Sequence, residues 1–181
     1  MNGTGQPAVG LTAAAATDSV RTGTSWWGSG WPGSVARLLL AVVLGYAGLV
    51  KMGDLAEAGR VAALYRIVPE DWAQLVGGVL PFVEVALALL LGAGLATRTA
   101  AMGAAALFVV YVAAIASVWA RGLSIDCGCF GGGGTLSAGA ERGYAIDIAR
   151  DLVLLAAAVL LIRNPRTRYA LDRWVLDPKE R

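Results

Sequence analysis

Cys127 and Cys129 stand one glycine apart in the stretch SIDCGCFGGGG, and they are the only two thiols in the 181 residues. A packing role suits them poorly, because a buried structural cysteine acts as a small hydrophobe and has no need of a second thiol beside it. A turn at Gly128 brings positions i and i+2 within the roughly 4.4–6.8 Å Cα separation that a disulfide requires. So short a ring gains little from loop-closure entropy, whereas strained or exposed disulfides are the labile, catalytic kind. The pair reads as a redox centre. Gly131 to Gly134 would let the segment move toward a partner. A structural disulfide and a soft-metal site for Cu(I) stay open as alternatives. Two thiolates make an incomplete metal site, however, and the chain has no histidine to complete it.

That absence prunes the chemistry further. It removes the usual haem ligand, a histidine general base, a catalytic triad and any histidine-bearing zinc site. The GGGG run lacks the Lys and Ser/Thr of a phosphate-binding loop. No metal site, ATP-driven transport or nucleic-acid partner is indicated. What remains is thiol chemistry assisted by carboxylates and arginines.

The elements that must position the thiols are membrane helices. The chain is 57% hydrophobic and 15% charged, with a mean hydropathy of +0.63, outside the range of a soluble domain. Its apolar residues gather into runs near 35–52, 73–96, 99–120 and 144–163, each close to the roughly 20 residues that cross a bilayer. Their continuity excludes the alternation of barrel strands. The expected fold is all-α, a four-helix bundle spanning the membrane. Between the first two runs, Leu55, Val61, Leu64, Tyr65 and Val68 recur at helical spacing against Glu57, Arg60 and Arg66. This predicts an amphipathic helix on the outer surface, either a connector or a cover for the cysteine loop.

Residues 1–34 are rich in Gly, Ala, Ser and Thr and lack the pattern of a cleavable signal, so they are expected to be a disordered tail. Trp26, Trp27 and Trp31 suit the headgroup layer, or else belong to a linker. Residues 164–181 form a basic tail with Arg166, Arg168, Arg173, Lys179 and Arg181. Together with Arg21, Arg37, Arg98 and Arg163, these place both termini in the cytoplasm by the positive-inside rule. The cysteine loop then lies outside, where disulfides persist.

Charges at membrane depth are functional candidates because each is costly unless paired. Glu84 falls well inside the second run, and Pro81, three residues earlier, frees a backbone carbonyl and can kink the helix toward a cavity. Asp147, Arg150 and Asp151 share one helix face near the outer end of the last run, and Lys51 closes the first run on that side. Lys51, Glu84 and Arg150 are expected to converge with the cysteine loop. Two readings stay open: an ion pair that fixes helix packing, or an arginine that stabilises a thiolate while carboxylates relay the protons released. Arg150 or Arg121 near the loop would lower a thiol pKa, and Asp126 would raise that of Cys127, making Cys129 the attacking thiol.

The run from Pro81 to Gly131, ending in RGLSIDCGCFG, resembles the methylamine-utilisation protein MauE family, relatives of the DoxX-type four-helix membrane proteins. Pro81 with Glu84, Cys127 to Gly131, and Arg150-Asp151 carry the likeness, which extends over 35–163. It implies an integral membrane protein of methylamine metabolism that helps a dehydrogenase subunit acquire disulfides outside the cytoplasm. The expected site comprises Cys127, Cys129, Glu84 and Arg150, with Asp126, Gly128, Phe130 and Gly131 supporting the loop. The partner is an extracytoplasmic thioredoxin-like or client protein. No cofactor is fixed by the residues; a quinone is the electron acceptor this reading admits, although quinone-linked disulfide generators use two cysteine pairs and this chain has one. The competing function is a non-catalytic membrane scaffold for a redox complex.

Overall fold

A computed structural model describes residues 31–125 and 140–164, and every regular element in them is a helix. In chain order they are α1 (Trp31–Met52), α2 (Leu55–Leu64), α3 (Glu70–Ala93), α4 (Thr97–Ala120) and α5 (Ala140–Arg163). The first helix is described from Trp31, four residues before the apolar run, and takes in Pro32, which suits a first turn where its missing N–H is not needed. The tryptophan cluster's Trp26 and Trp27 lie outside the described residues, as does the basic tail beyond Asn164.

Local chemistry sets the boundaries. Asp54 caps α2 by accepting a hydrogen bond from the Glu57 N–H at 2.9 Å. Glu70 and Asp71 occupy the first turn of α3, where negative charge meets the positive end of the helix dipole. That helix ends at Gly94, whose φ of 68° lets its N–H turn back onto the carbonyls of Leu90 and Leu91. The amphipathic segment after the first span does fold as a helix, with Gly59 and Val61 turned inward.

Burial runs opposite to that of a soluble protein. Large apolar side chains such as Val42, Leu49, Val79, Leu89, Val110 and Val153 face outward, while alanines and glycines fill much of the interior. Small residues inside and large ones outside let helix backbones approach closely in lipid, where burying an apolar side chain gains little. Gly48 of α1 sits where a Cβ would lie 2.9 Å from the Pro81 carbonyl oxygen of α3. Gly77 of α3 meets α2 even more closely, since a Cβ there would lie 2.5 Å from the Ala58 carbonyl oxygen and 2.7 Å from the Gly59 Cα. The densest packing accordingly joins α1 to α3, α2 to α3 and α4 to α5.

Three helices, α1, α3 and α4, are long and apolar enough to cross a membrane, so the chain is a multi-pass membrane protein. The fourth expected span, α5, has the same 24-residue length as α3 and α4. Asp147, Arg150 and Asp151 give its N-terminal half too much charge to qualify on composition alone.

Candidate functional site

The chain order puts one end of every long helix at a common level. The C-terminal ends of α1 and α4 and the N-terminal ends of α3 and α5 share one end of the bundle, to which α2 is attached. The α3–α4 turn and the far ends of α1 and α5 share the other.

Inside the first end, Lys51 reaches across from the last turn of α1. Its Nζ donates to Glu84 Oε1 on α3 at 2.7 Å and to the Tyr111 hydroxyl on α4 at 3.3 Å. The Tyr111 hydroxyl in turn donates to the same Glu84 oxygen. The ammonium also lies 5.2 Å from the centre of the Tyr111 ring, within cation–π range. Glu84 is fully buried and the Lys51 side chain is 11% exposed, so the carboxylate is matched in the low-dielectric interior where an unpaired charge would be very costly.

On α5, Arg150 pairs with Asp147 at 2.9 Å and with Asp151 at 3.0 Å. Arg150 and Asp151 line a cavity of about 20 Å³ together with Lys51, Glu84 and Tyr111. Glu84 Oε2 and Asp151 Oδ2 are both buried and have no hydrogen-bond partner among the described residues. Lys51, Glu84 and Arg150 thus lie around one cavity, while the cysteine loop expected to converge with them lies outside the described residues. The polar groups form two clusters, Lys51–Glu84–Tyr111 across α1, α3 and α4 and Arg150–Asp151 on α5, that face each other across this small cavity.

A second, larger cavity of about 500 Å³ opens beside the first, between α2 and the facing parts of α1, α3 and α4. Lys51 and Tyr111 line both cavities. Helix α3 continues unbroken through Pro81, and Gly77, the residue whose carbonyl that proline leaves without its usual N–H, lines the large cavity.

The candidate loop residues Asp126, Cys127, Gly128, Cys129, Phe130 and Gly131 lie outside the described residues. The chain leading to them is held firmly. Tyr144 of α5 accepts a hydrogen bond from the Ile125 N–H at 2.7 Å, and its hydroxyl proton faces the carbonyls of Leu123 and Ile125 at 2.7 and 2.9 Å. Arg121, one of two arginines expected near the loop, donates to the carbonyls of Tyr65 and Arg66, tying the end of α4 to the α2–α3 connection; the thiols themselves lie outside the described residues.

Three residues gain roles here that spacing did not assign. Tyr111 is a lone tyrosine in an apolar run that no motif singles out. Tyr144 reads as the first residue of a span. Arg37, counted with the cytoplasmic flank, is 4% exposed; it precedes the buried Leu40 and Leu44 by three and seven residues, and that shared helical face was the signal.

No group of three or more metal-ligating side chains occurs among the described residues. No solved structure matches the chain. The methylamine utilization protein MauE of Paracoccus denitrificans is 39% identical over 98 residues, a match that spans 54% of this chain and 53% of the relative. Residues 29–163 match the family described as methylamine utilisation protein MauE. That stretch takes in all five helices and both cavities, and by it the chain belongs to the MauE family.

Proposed function

We propose that this protein supports thiol-disulfide exchange outside the cytoplasm, in the service of methylamine utilisation as its relative's name indicates. In this reading α5 is a fourth span, its charges neutralised by Arg150 pairing with Asp147 and Asp151. Both termini are cytoplasmic, and the Cys127–Cys129 segment is external. The observation that carries the reading is the buried group of Lys51, Glu84, Tyr111, Arg150 and Asp151 at the end of the bundle where α4 leads into the cysteine segment. A redox-inert helix bundle has little use for five polar groups sharing one interior.

The exchange needs no external oxidant for a single turnover. A client thiolate attacks one sulfur of the Cys127–Cys129 disulfide and forms a mixed disulfide. The client's second thiolate displaces that sulfur, leaving the client oxidised by two electrons and this pair reduced to the dithiol. Reoxidation releases two electrons and two protons, and Glu84 with its neighbours is placed to carry the protons. Asp126, Gly128, Phe130 and Gly131 shape the loop, and Arg150 favours the thiolate. A scaffold subunit is the competing reading, favoured by the fact that the Lys51–Glu84 pair joins α1 to α3.

Redox titration with alkylation and mass spectrometry separates the two. Cys127 and Cys129 should titrate together at a potential well above the roughly −300 mV below which structural disulfides lie. Single Cys→Ser variants should trap a mixed disulfide, and a membrane-impermeant maleimide should label the reduced thiols in intact cells. Cysteines held in one redox state throughout would leave the scaffold.

A further inference from the structure

The larger cavity has a feature that a packing defect lacks, because its polarity is concentrated at two places. Most of its wall is apolar, from residues such as Val61, Val76, Leu80 and Ala114. Its polar residues include Lys51 and Tyr111, on the side it shares with the small cavity, and Asp54 and Glu57 by the α1–α2 connection. Its volume of about 500 Å³ falls in the range of about 300–1,000 Å³ typical of sites that hold a small organic ligand.

The charges select among lipophilic occupants. Lys51 donates to Glu84 and Tyr111, which leaves the third ammonium proton for an acceptor. A saturated acyl tail offers no acceptor. A fatty-acid carboxylate or a phosphate would have to compete with Glu84 for Lys51 and to sit near the Asp54 carboxylate, while Glu57 is already paired with Arg60. A neutral carbonyl meets neither penalty. Behind Lys51 the small cavity of about 20 Å³ is wide enough for one water. Such a water would donate to Glu84 Oε2 and Asp151 Oδ2 and continue the hydrogen-bond chain to α5. The occupant therefore faces a donor backed by a route for protons, which an inert lipid does not need and a redox-active carbonyl does.

We propose that this cavity binds a neutral membrane quinone, with a ring carbonyl accepting from Lys51 and the isoprenoid tail leaving along the apolar wall between α2, α3 and α4. The proposal deepens the thiol-exchange reading, since reoxidation of one dithiol to a disulfide releases two electrons and two protons and reduction of one quinone to quinol consumes both. The electrons come from the dithiol. The protons enter the ring oxygens by way of Lys51 and Tyr111, replenished through Glu84.

The test is equilibrium binding of decylubiquinone to the full-length protein in lipid nanodiscs. Saturable binding at one site per chain is expected, weakened about tenfold or more, the equivalent of one net hydrogen bond or a comparable packing loss, when Ala114→Phe fills the cavity from α4. Ala62→Phe, filling it from α2, should do the same and guards against a folding defect in the first variant. Val79→Phe, on the outward face of α3, should bind as the natural chain does. Decylbenzene and oleate should fail to displace the quinone. Equal binding by all variants, or displacement by decylbenzene, would reduce the cavity to a lipid-tail groove and overturn the proposal. A Cys127→Ser/Cys129→Ser double variant should still bind decylubiquinone, so a failure of thiol exchange and a failure of the quinone site are read separately.

Discussion

The two ends of the bundle are held together by different physics. Toward the α3–α4 turn, the interior is mostly Leu40, Leu91, Ala100, Ala104, Leu161 and similar residues, with Arg37 and Thr97 buried among them. Toward the cysteine segment, an apolar cluster of Ile115, Val118 and Ile125 is joined by an ion pair, a tyrosine, a second charged cluster and two cavities. Lipid tails are as apolar as leucine, so the first end is maintained by close van der Waals fit and not by exclusion from solvent. The second end depends on each buried charge keeping its partner. The apolar end should therefore yield gradually to substitution, and the polar end abruptly.

The sharpest way to break the contrast is Lys51→Met, which strands Glu84 and should cost about 3–5 kcal/mol of stability. The double variant Lys51→Met/Glu84→Leu should recover most of that loss in thermal unfolding, and non-recovery would mean the pair is not the unit that matters. Glu84→Gln should likewise impair the protein far more than Glu70→Gln at the exposed start of α3. At the apolar end, Leu161→Ala removes a fully buried side chain and should cost about 2–3 kcal/mol, near the lower end for leucine truncation, with thiol exchange intact. A finer comparison lies within α1. Gly48→Ala should cost about 1–3 kcal/mol by overpacking, because its Cβ meets Val85 Cγ2 at 2.7 Å. Gly45→Ala, whose Cβ would touch only the Ala88 Cβ at 3.5 Å, should leave unfolding unchanged. The smallest effect is expected of Tyr144→Phe, about 0.5–1.5 kcal/mol, appearing as faster hydrogen exchange at the Ile125 amide.

Much of this architecture was legible in the order of residues. Apolar runs of membrane length announced the long helices, and the spacing of Leu55, Val61 and Leu64 announced α2, because periodicity alone decides such elements. The convergence of Lys51, Glu84 and Arg150 followed from placing each charge along its own helix. Tyr111 was not legible, since its role depends on the rotation of α4 about its axis, which packing against α3 and α5 decides. Nor was the task of Arg121: a charge near a loop says nothing of which carbonyls will reach it. Arg37 shows how counting charges by position alone misleads when the charge shares the helix face of buried Leu40 and Leu44. The cavities belong to no single stretch of sequence, since each is enclosed by residues from separate helices.

The glycine contacts carry a mechanical consequence. Where Gly48 meets Pro81 and Gly77 meets Gly59, backbones lie so near that α1, α2 and α3 can hardly slide past one another, and they behave as one rigid body. Helices α4 and α5 form a second body, more thinly joined to the first. The hydrogen bonds from Tyr111 to Glu84 and from Lys51 to Tyr111 cross the boundary between the two. A shear of one body against the other would leave the glycine contacts untouched and break those bonds first. Whatever breaks the Tyr111–Glu84 bond thus also loosens the grip between the bodies, on the same side of the bundle as Ile125, where the chain leads into the cysteine segment.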